Sequence, residues 1–150
     1  MKKFTLDRLW IIFVASFVVF LGLDQASKLW ALEAQPATEA KIGFLLSFNK
    51  GIVFGLNLPL PMIYLLVAGI LALGTYLVIE NKLWRDAKHV TAIALLLAGA
   101  VGNIVDRIRL GAVVDFIHIY WWPTFNLADI YIVLAALFFA WTALIFTDDL

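Results

Sequence analysis

Long apolar runs alternate with short polar interruptions along this chain, and the length of the runs excludes most soluble folds. Four stand out: Leu9 to Leu23, continuing past Asp24 toward Trp30; Leu60 to Ile79; Val90 to Val105, ending at Asp106-Arg107; and Leu127 to Phe146. A helix needs about twenty residues to cross the hydrocarbon core of a bilayer. The second and fourth runs meet that length outright. The first and third meet it when their polar ends reach the interface, as Lys and Arg do by snorkelling. Helices are the reasonable reading, because open strands leave backbone polar groups unsatisfied in lipid. Between the runs the pattern changes. Gly43 to Asn49 and Ala112 to Ile119 read as two strands that together form a small sheet at the outer face. Ala98-Gly99-Ala100-Val101-Gly102 supplies small residues for close helix approach. The predicted fold class is an all-α membrane protein with four transmembrane helices and a small outward-facing sheet, one domain over residues 1–150.

Composition agrees. The chain is 64% hydrophobic and 15% charged, with a mean hydropathy of +0.97, well above the roughly half-apolar content of a soluble domain. Its formal net charge of zero argues against an electrostatic nucleic-acid binder. The absence of cysteine removes disulfides, thiol nucleophiles and cysteine-ligated metals. Trp10, Trp30, Trp84, Trp121, Trp122 and Trp141 lie at or near segment ends, the headgroup level that indole rings favour. Lys2, Lys3 and Arg8 precede the first run, and Lys82, Arg85 and Lys88 separate the second from the third. Under the positive-inside rule both sets are cytoplasmic, which four crossings make self-consistent. The first run resembles a signal peptide, but Leu32-Glu33-Ala34 offers no small-x-small cleavage site, so it is read as an uncleaved helix.

The informative residues are the polar ones. Asp115 interrupts an apolar stretch, and Asp129 opens a run that holds no other charge. A carboxylate in hydrocarbon costs about 2.5–3.5 kcal/mol even on the mildest scale, so such residues rarely persist without a task. A pair suggests one acid and one base. On the four-helix topology, Asp24, Lys28, Asn49, Gly51, Asn103, Asp106, Arg107, Asp115, Asn126 and Asp129 all converge on one membrane face. Each has a bland alternative. Asp24 and Lys28, at i and i+4, make an interfacial ion pair. Asp106 is a partner for Arg107, or a cap. Asn126 and Asp129 have the spacing of an N-cap and its third helical residue. Ser27 beside Lys28 invites a Ser/Lys hydrolase reading, but adjacent helical residues do not face one another. Intramembrane carboxylates also carry protons in pumps, so a small four-helix proton-coupled transporter is the alternative, disfavoured by the apolar inner halves of the helices.

Five blocks, in order, resemble lipoprotein signal peptidase, the bacterial signal peptidase II family: Asp24-Gln25-Ala26-Ser27-Lys28; Asn49-Lys50-Gly51-Ile52-Val53-Phe54-Gly55; Gly102-Asn103-Ile104-Val105-Asp106-Arg107; Gly111-Ala112-Val113-Val114-Asp115-Phe116; and Phe125-Asn126-Leu127-Ala128-Asp129. The second block departs from the family at Ile52 and Val53, where alanines are usual. The resemblance implies an inner-membrane aspartic peptidase with a small outward β-cradle, a site near the outer face and both termini cytoplasmic. Its substrates would be diacylated prolipoproteins, cleaved on the amino side of the lipidated cysteine, with membrane lipids as surroundings and no metal or organic cofactor. It implies Asp115 and Asp129 as the catalytic dyad and Asn103, Arg107 and Asn126 as supporting groups. Asp24, Lys28, Asn49 and Gly51 are then motif positions around them.

Overall fold

The computed structural model describes residues 5–38, 41–51 and 83–147 and, between them, Met62, Leu65, Gly69, Tyr76 and Glu80, all five helical. Most of the second apolar run, and Ile52 and Val53, therefore lie outside the described residues. Among the described residues the long helices are α1 (Leu6–Ala34), α2 (Ala87–Leu110) and α3 (Leu127–Thr147). A 3-10 turn at Leu83–Arg85 leads into α2. Each helix stops where its sequence cannot continue it. Gln35 takes the left-handed conformation (φ 45°) and returns its N–H to Ala31 O at 3.0 Å, with Pro36 next in line. Gly111 ends α2 in the same way, at φ 72° and with a 3.0 Å bond to Arg107 O.

The distribution of polarity is inverted relative to a soluble bundle. On α1 the buried residues are Leu9, Asp24, Lys28 and Ala31, whereas Val18, Val19 and Leu23 are exposed. Burying a charged pair while leaving valine and leucine uncovered costs free energy in water and suits a hydrocarbon surround. Among the described residues, α1 and α2 are long and apolar enough to cross a bilayer. This is a membrane protein, mostly helical, with a small sheet at one end.

That sheet has three antiparallel strands, one more than the sequence pattern predicts: β1 (Ile42–Asn49), β2 (Val113–Ile119) and β3 (Trp122–Phe125), in the order β1-β2-β3. Alternation is hard to see in β3, because it has four residues and contains Pro123. Proline is admissible there because β3 is an edge strand. A shift in register between Phe44 and Ser47 breaks the β1–β2 ladder, and Leu46 N–H inside it donates instead to Pro36 O at 2.8 Å. The segment after α1 is thus strapped to β1. A small core of Ala31, Val114 and Phe116, with Leu32, Leu46, Ile117 and Leu127 around it, joins the sheet to α1 and α3. Ser47 pairs with Asp115 in the ladder, which sets Asp115 in the central strand directly over the helix ends.

Candidate active site

Three helices and the sheet meet at a buried ion cluster. Lys28 Nζ lies 2.9 Å from Asp24 Oδ2, 2.9 Å from Asp106 Oδ2 and 3.0 Å from Asn103 Oδ1, so its three protons meet three acceptors. Asp24, Lys28, Asn103 and Asp106 are all buried. The cluster also joins elements. Asp24 Oδ1 accepts Ala128 N–H at 3.0 Å, at the start of α3, and Asp106 Oδ2 accepts Val114 N–H at 3.1 Å, on β2. Gln25 Nε2 donates to Asp24 Oδ2 at 3.1 Å. The ion pair read from the i, i+4 spacing therefore forms, but as the hub of the bundle rather than as an interfacial anchor. Asp106 turns to Lys28 and not to Arg107, its neighbour in sequence, because consecutive helical side chains diverge.

Asp115 is 1% exposed, in mid-strand. Its Oδ1 accepts Asn126 Nδ2–H at 2.7 Å and its Oδ2 accepts Asn49 Nδ2–H at 3.1 Å. Asn49 Oδ1 accepts Gly51 N–H at 2.9 Å, and Gly51 O accepts from an Arg107 guanidinium nitrogen at 2.8 Å. Asp129, half-buried in the first turn of α3, accepts Asn103 Nδ2–H on Oδ1 at 2.9 Å and Asn126 N–H on Oδ2 at 3.3 Å. Asp129 N–H donates back to Asn126 Oδ1 at 3.1 Å. This is a reciprocal capping box, so the capping reading of Asn126 is correct and extends to Asp129. Capping leaves two facts over. Asp129 Oδ1 is held by α2, and Asn126 touches both carboxylates, Asp115 through its side chain and Asp129 through its backbone. Burial, with the nearby Asp129 charge second, pushes the Asp115 carboxyl up to about 7, against the Asn49 and Asn126 bonds and the Lys28 charge, which pull it down.

The nine residues to which the resemblance gives a place at the site fall into one connected set of hydrogen bonds and ion pairs, and Asp106 joins them through Lys28. The chain also matches the family model described as Signal peptidase (SPase) II over residues 16–145, a span that contains all nine. The chain belongs to the signal peptidase II family. It is 34% identical to the lipoprotein signal peptidase of Geobacter sulfurreducens, over 79% of this chain and 82% of that protein. It is 37% identical to the lipoprotein signal peptidase of Cellvibrio japonicus, over 91% of this chain and 88% of that protein. A bacterial membrane enzyme solved by the in meso method at 2.3 Å superposes with a TM-score of 0.76 at 26% identity, covering 99% of this chain and 94% of the other. Membership makes the chain a peptidase and a bacterial membrane protein.

The sequence placed Asp106 on the face of this signal peptidase II site only as a partner for Arg107 or a cap and gave Gln25 no role of its own, whereas both join the cluster around Lys28 and Asp24. A usable signal was present for Asp106, which lies three residues from Asn103 on the same helix face. Ser27 does not engage Lys28: its hydroxyl donates to Asp24 O at 2.7 Å, and the ammonium is engaged elsewhere. His118 pairs with Gly43 in the ladder, and at three residues from Asp115 it projects from the other face of β2. His89 lies in the first turn of α2, far from the site, with Nδ1 at 2.8 Å from Asp86 Oδ2.

Proposed function

We propose that this chain is an aspartic endopeptidase of the membrane that removes signal peptides from diacylglyceryl-modified prolipoproteins, cleaving on the amino side of the lipidated cysteine. The observation that carries the reading is the pairing of two carboxylates of unequal burial through one residue, Asn126. Asp115, buried and with its carboxyl pushed up to about 7, is the member that brings a proton to the reaction; Asp129, half-buried, is the base. Asp129 takes a proton from water as the water oxygen bonds to the scissile carbonyl carbon. The Asp115 O–H donates to the carbonyl oxygen as charge builds there. The tetrahedral intermediate then collapses. The C–N bond breaks, the leaving nitrogen receives the proton held by Asp129, and Asp115 recovers its own. Asn49, Asn103 and Asn126 supply N–H donors that hold the carboxyl groups through the cycle, and Arg107 fixes the Gly51 turn behind Asn49.

Four crossings, with both termini cytoplasmic and the sheet at the outer face, complete the reading. A signal peptide spans the bilayer as a helix and presents its cleavage site at the outer surface. A dyad between the helix ends and the sheet meets the bond there. The substrate's acyl chains remain in the bilayer, so the membrane itself supplies part of the binding. The test is incubation of the purified enzyme with a diacylated prolipoprotein and with its unlipidated form. The expected result is a product beginning at the lipidated cysteine and no cleavage of the unlipidated form. Equal cleavage of both would overturn the substrate assignment.

A further inference from the structure

The donor and acceptor ends of an Asn amide face opposite ways, and only its partners decide which end faces which. At this site two of those partners cannot reverse. The Asp129 backbone N–H only donates, and it holds Asn126 Oδ1 at 3.1 Å. Asn126 Nδ2 must then face the other way, where it meets Asp115 Oδ1, Asn103 Oδ1 and Val114 O at 2.7, 3.2 and 3.3 Å. The Lys28 ammonium likewise only donates, and it holds Asn103 Oδ1 at 3.0 Å, leaving Asn103 Nδ2 to face Asp129. The other donor to Asn103 Oδ1, Asn126 Nδ2, is longer and is shared with two further acceptors. Lys28 is itself held between Asp24 and Asp106, and both of those are tied to the backbone at Ala128 and Val114.

Resting on the aspartic peptidase reading above, we propose that Lys28, clamped by Asp24 and Asp106, is a positioning residue that keeps Asn103 turned with its N–H toward Asp129 and so keeps that carboxylate ready to act as base. If the amide turned over, its oxygen would face Asp129 Oδ1. Two acceptors in contact repel unless a proton enters between them, and a base that already carries a proton cannot take one from water. The ammonium also acts at a distance. The charged groups that act on Asp115 are Asp129 on α3 and Lys28 on α1; Asp24 on α1 and Asp106 on α2 are engaged with Lys28, and Arg107 on α2 with Gly51 O. Of these, Lys28 favours the ionised form of Asp115 and Asp129 opposes it. Loss of the Lys28 charge therefore moves the ionisation of Asp115 to higher pH.

The experiment compares wild type with Lys28→Met and with Lys28→Met/Asp106→Asn, which removes a carboxylate along with the cation. Expected for Lys28→Met are a fall in kcat of about a hundredfold at pH 7, a KM within about threefold, and a pH–rate profile displaced upward. A wild-type kcat with an unmoved profile would overturn the proposal, as would a rise in KM alone, which would make Lys28 a substrate contact. If the single variant does not insert and fold, the double variant is judged by the same criteria. A second readout does not need turnover: the Asp115 carboxyl ¹³C resonance, titrated in each protein, should move its midpoint upward when the cation is lost. An inactive wild type would count against the peptidase reading, whereas an unmoved Asp115 midpoint would count against the positioning role.

Discussion

Gly102→Ala is a one-carbon change placed against the hub of the ion cluster. A Cβ at Gly102 would collide with Asp24 Oδ2, and it would lie 3.1 Å from Asp24 Cγ and 3.7 Å from Ala128 Cβ. The carboxylate has nowhere to retreat. Oδ2 is held by Lys28 Nζ at 2.9 Å and Gln25 Nε2 at 3.1 Å, and Oδ1 by Ala128 N–H at 3.0 Å. Alanine in a helix interior gains about 0.5–1 kcal/mol over glycine. Overpacking costs about 1–3 kcal/mol. Breaking a buried ion pair costs about 3–5 kcal/mol when one charge is left uncompensated, and a displaced carboxylate suffers part of that. The expected net change is a destabilisation of about 2–4 kcal/mol. Gly22→Ala on α1 is the control, because among the described residues nothing lies within 4 Å of the added carbon. It should be neutral or stabilising by up to about 1 kcal/mol. Equilibrium unfolding of the two variants in mixed micelles, followed by far-ultraviolet circular dichroism, measures the difference. Equal stabilities would show that Asp24 is not packed against α2 at Gly102, and the geometry of the cluster would be wrong.

Two further results are expected. Ser27→Ala removes only a bond to the Asp24 carbonyl, so cleavage should continue at the wild-type rate; lost turnover would revive the Ser/Lys reading. Asp115 is raised from an ordinary carboxylate to about 7 in the folded chain, so between about pH 4 and 7 the folded state keeps a proton that the unfolded state has released. Its contribution to stability is therefore fully present below about pH 4 and is lost as the pH rises through 7. The slope of unfolding free energy across that window should flatten in Asp115→Asn, and an unchanged slope would contradict the burial argument.

Much of the site was legible in the sequence because a membrane restricts what polar residues do. Asp115 and Asp129 stood out against apolar surroundings, and the i, i+4 spacing of Asp24 with Lys28 placed that pair on one face. The capping spacing of Asn126 and Asp129 was also readable and correct, but not the way it merges with the site. A single residue serves both roles, and spacing cannot reveal a contact eleven residues back at Asp115. Asp106 was misassigned because its partner, Lys28, is 78 positions away, and only the approach of α1 to α2 at Gly102 brings them together. Strand β3 was hidden by its brevity and by Pro123, which an edge position tolerates.

If two carboxyl groups, one giving a proton and one taking it, cleave the prolipoprotein, both are needed for a single turnover. Single-turnover cleavage of a diacylated substrate is compared for wild type, Asp115→Asn and Asp129→Asn, each first shown to be inserted and folded. The wild type should release the signal peptide and each variant should release it at least about a thousandfold more slowly, since neither carboxyl group can do the other's work. Cleavage by either variant within tenfold of wild type would contradict that requirement.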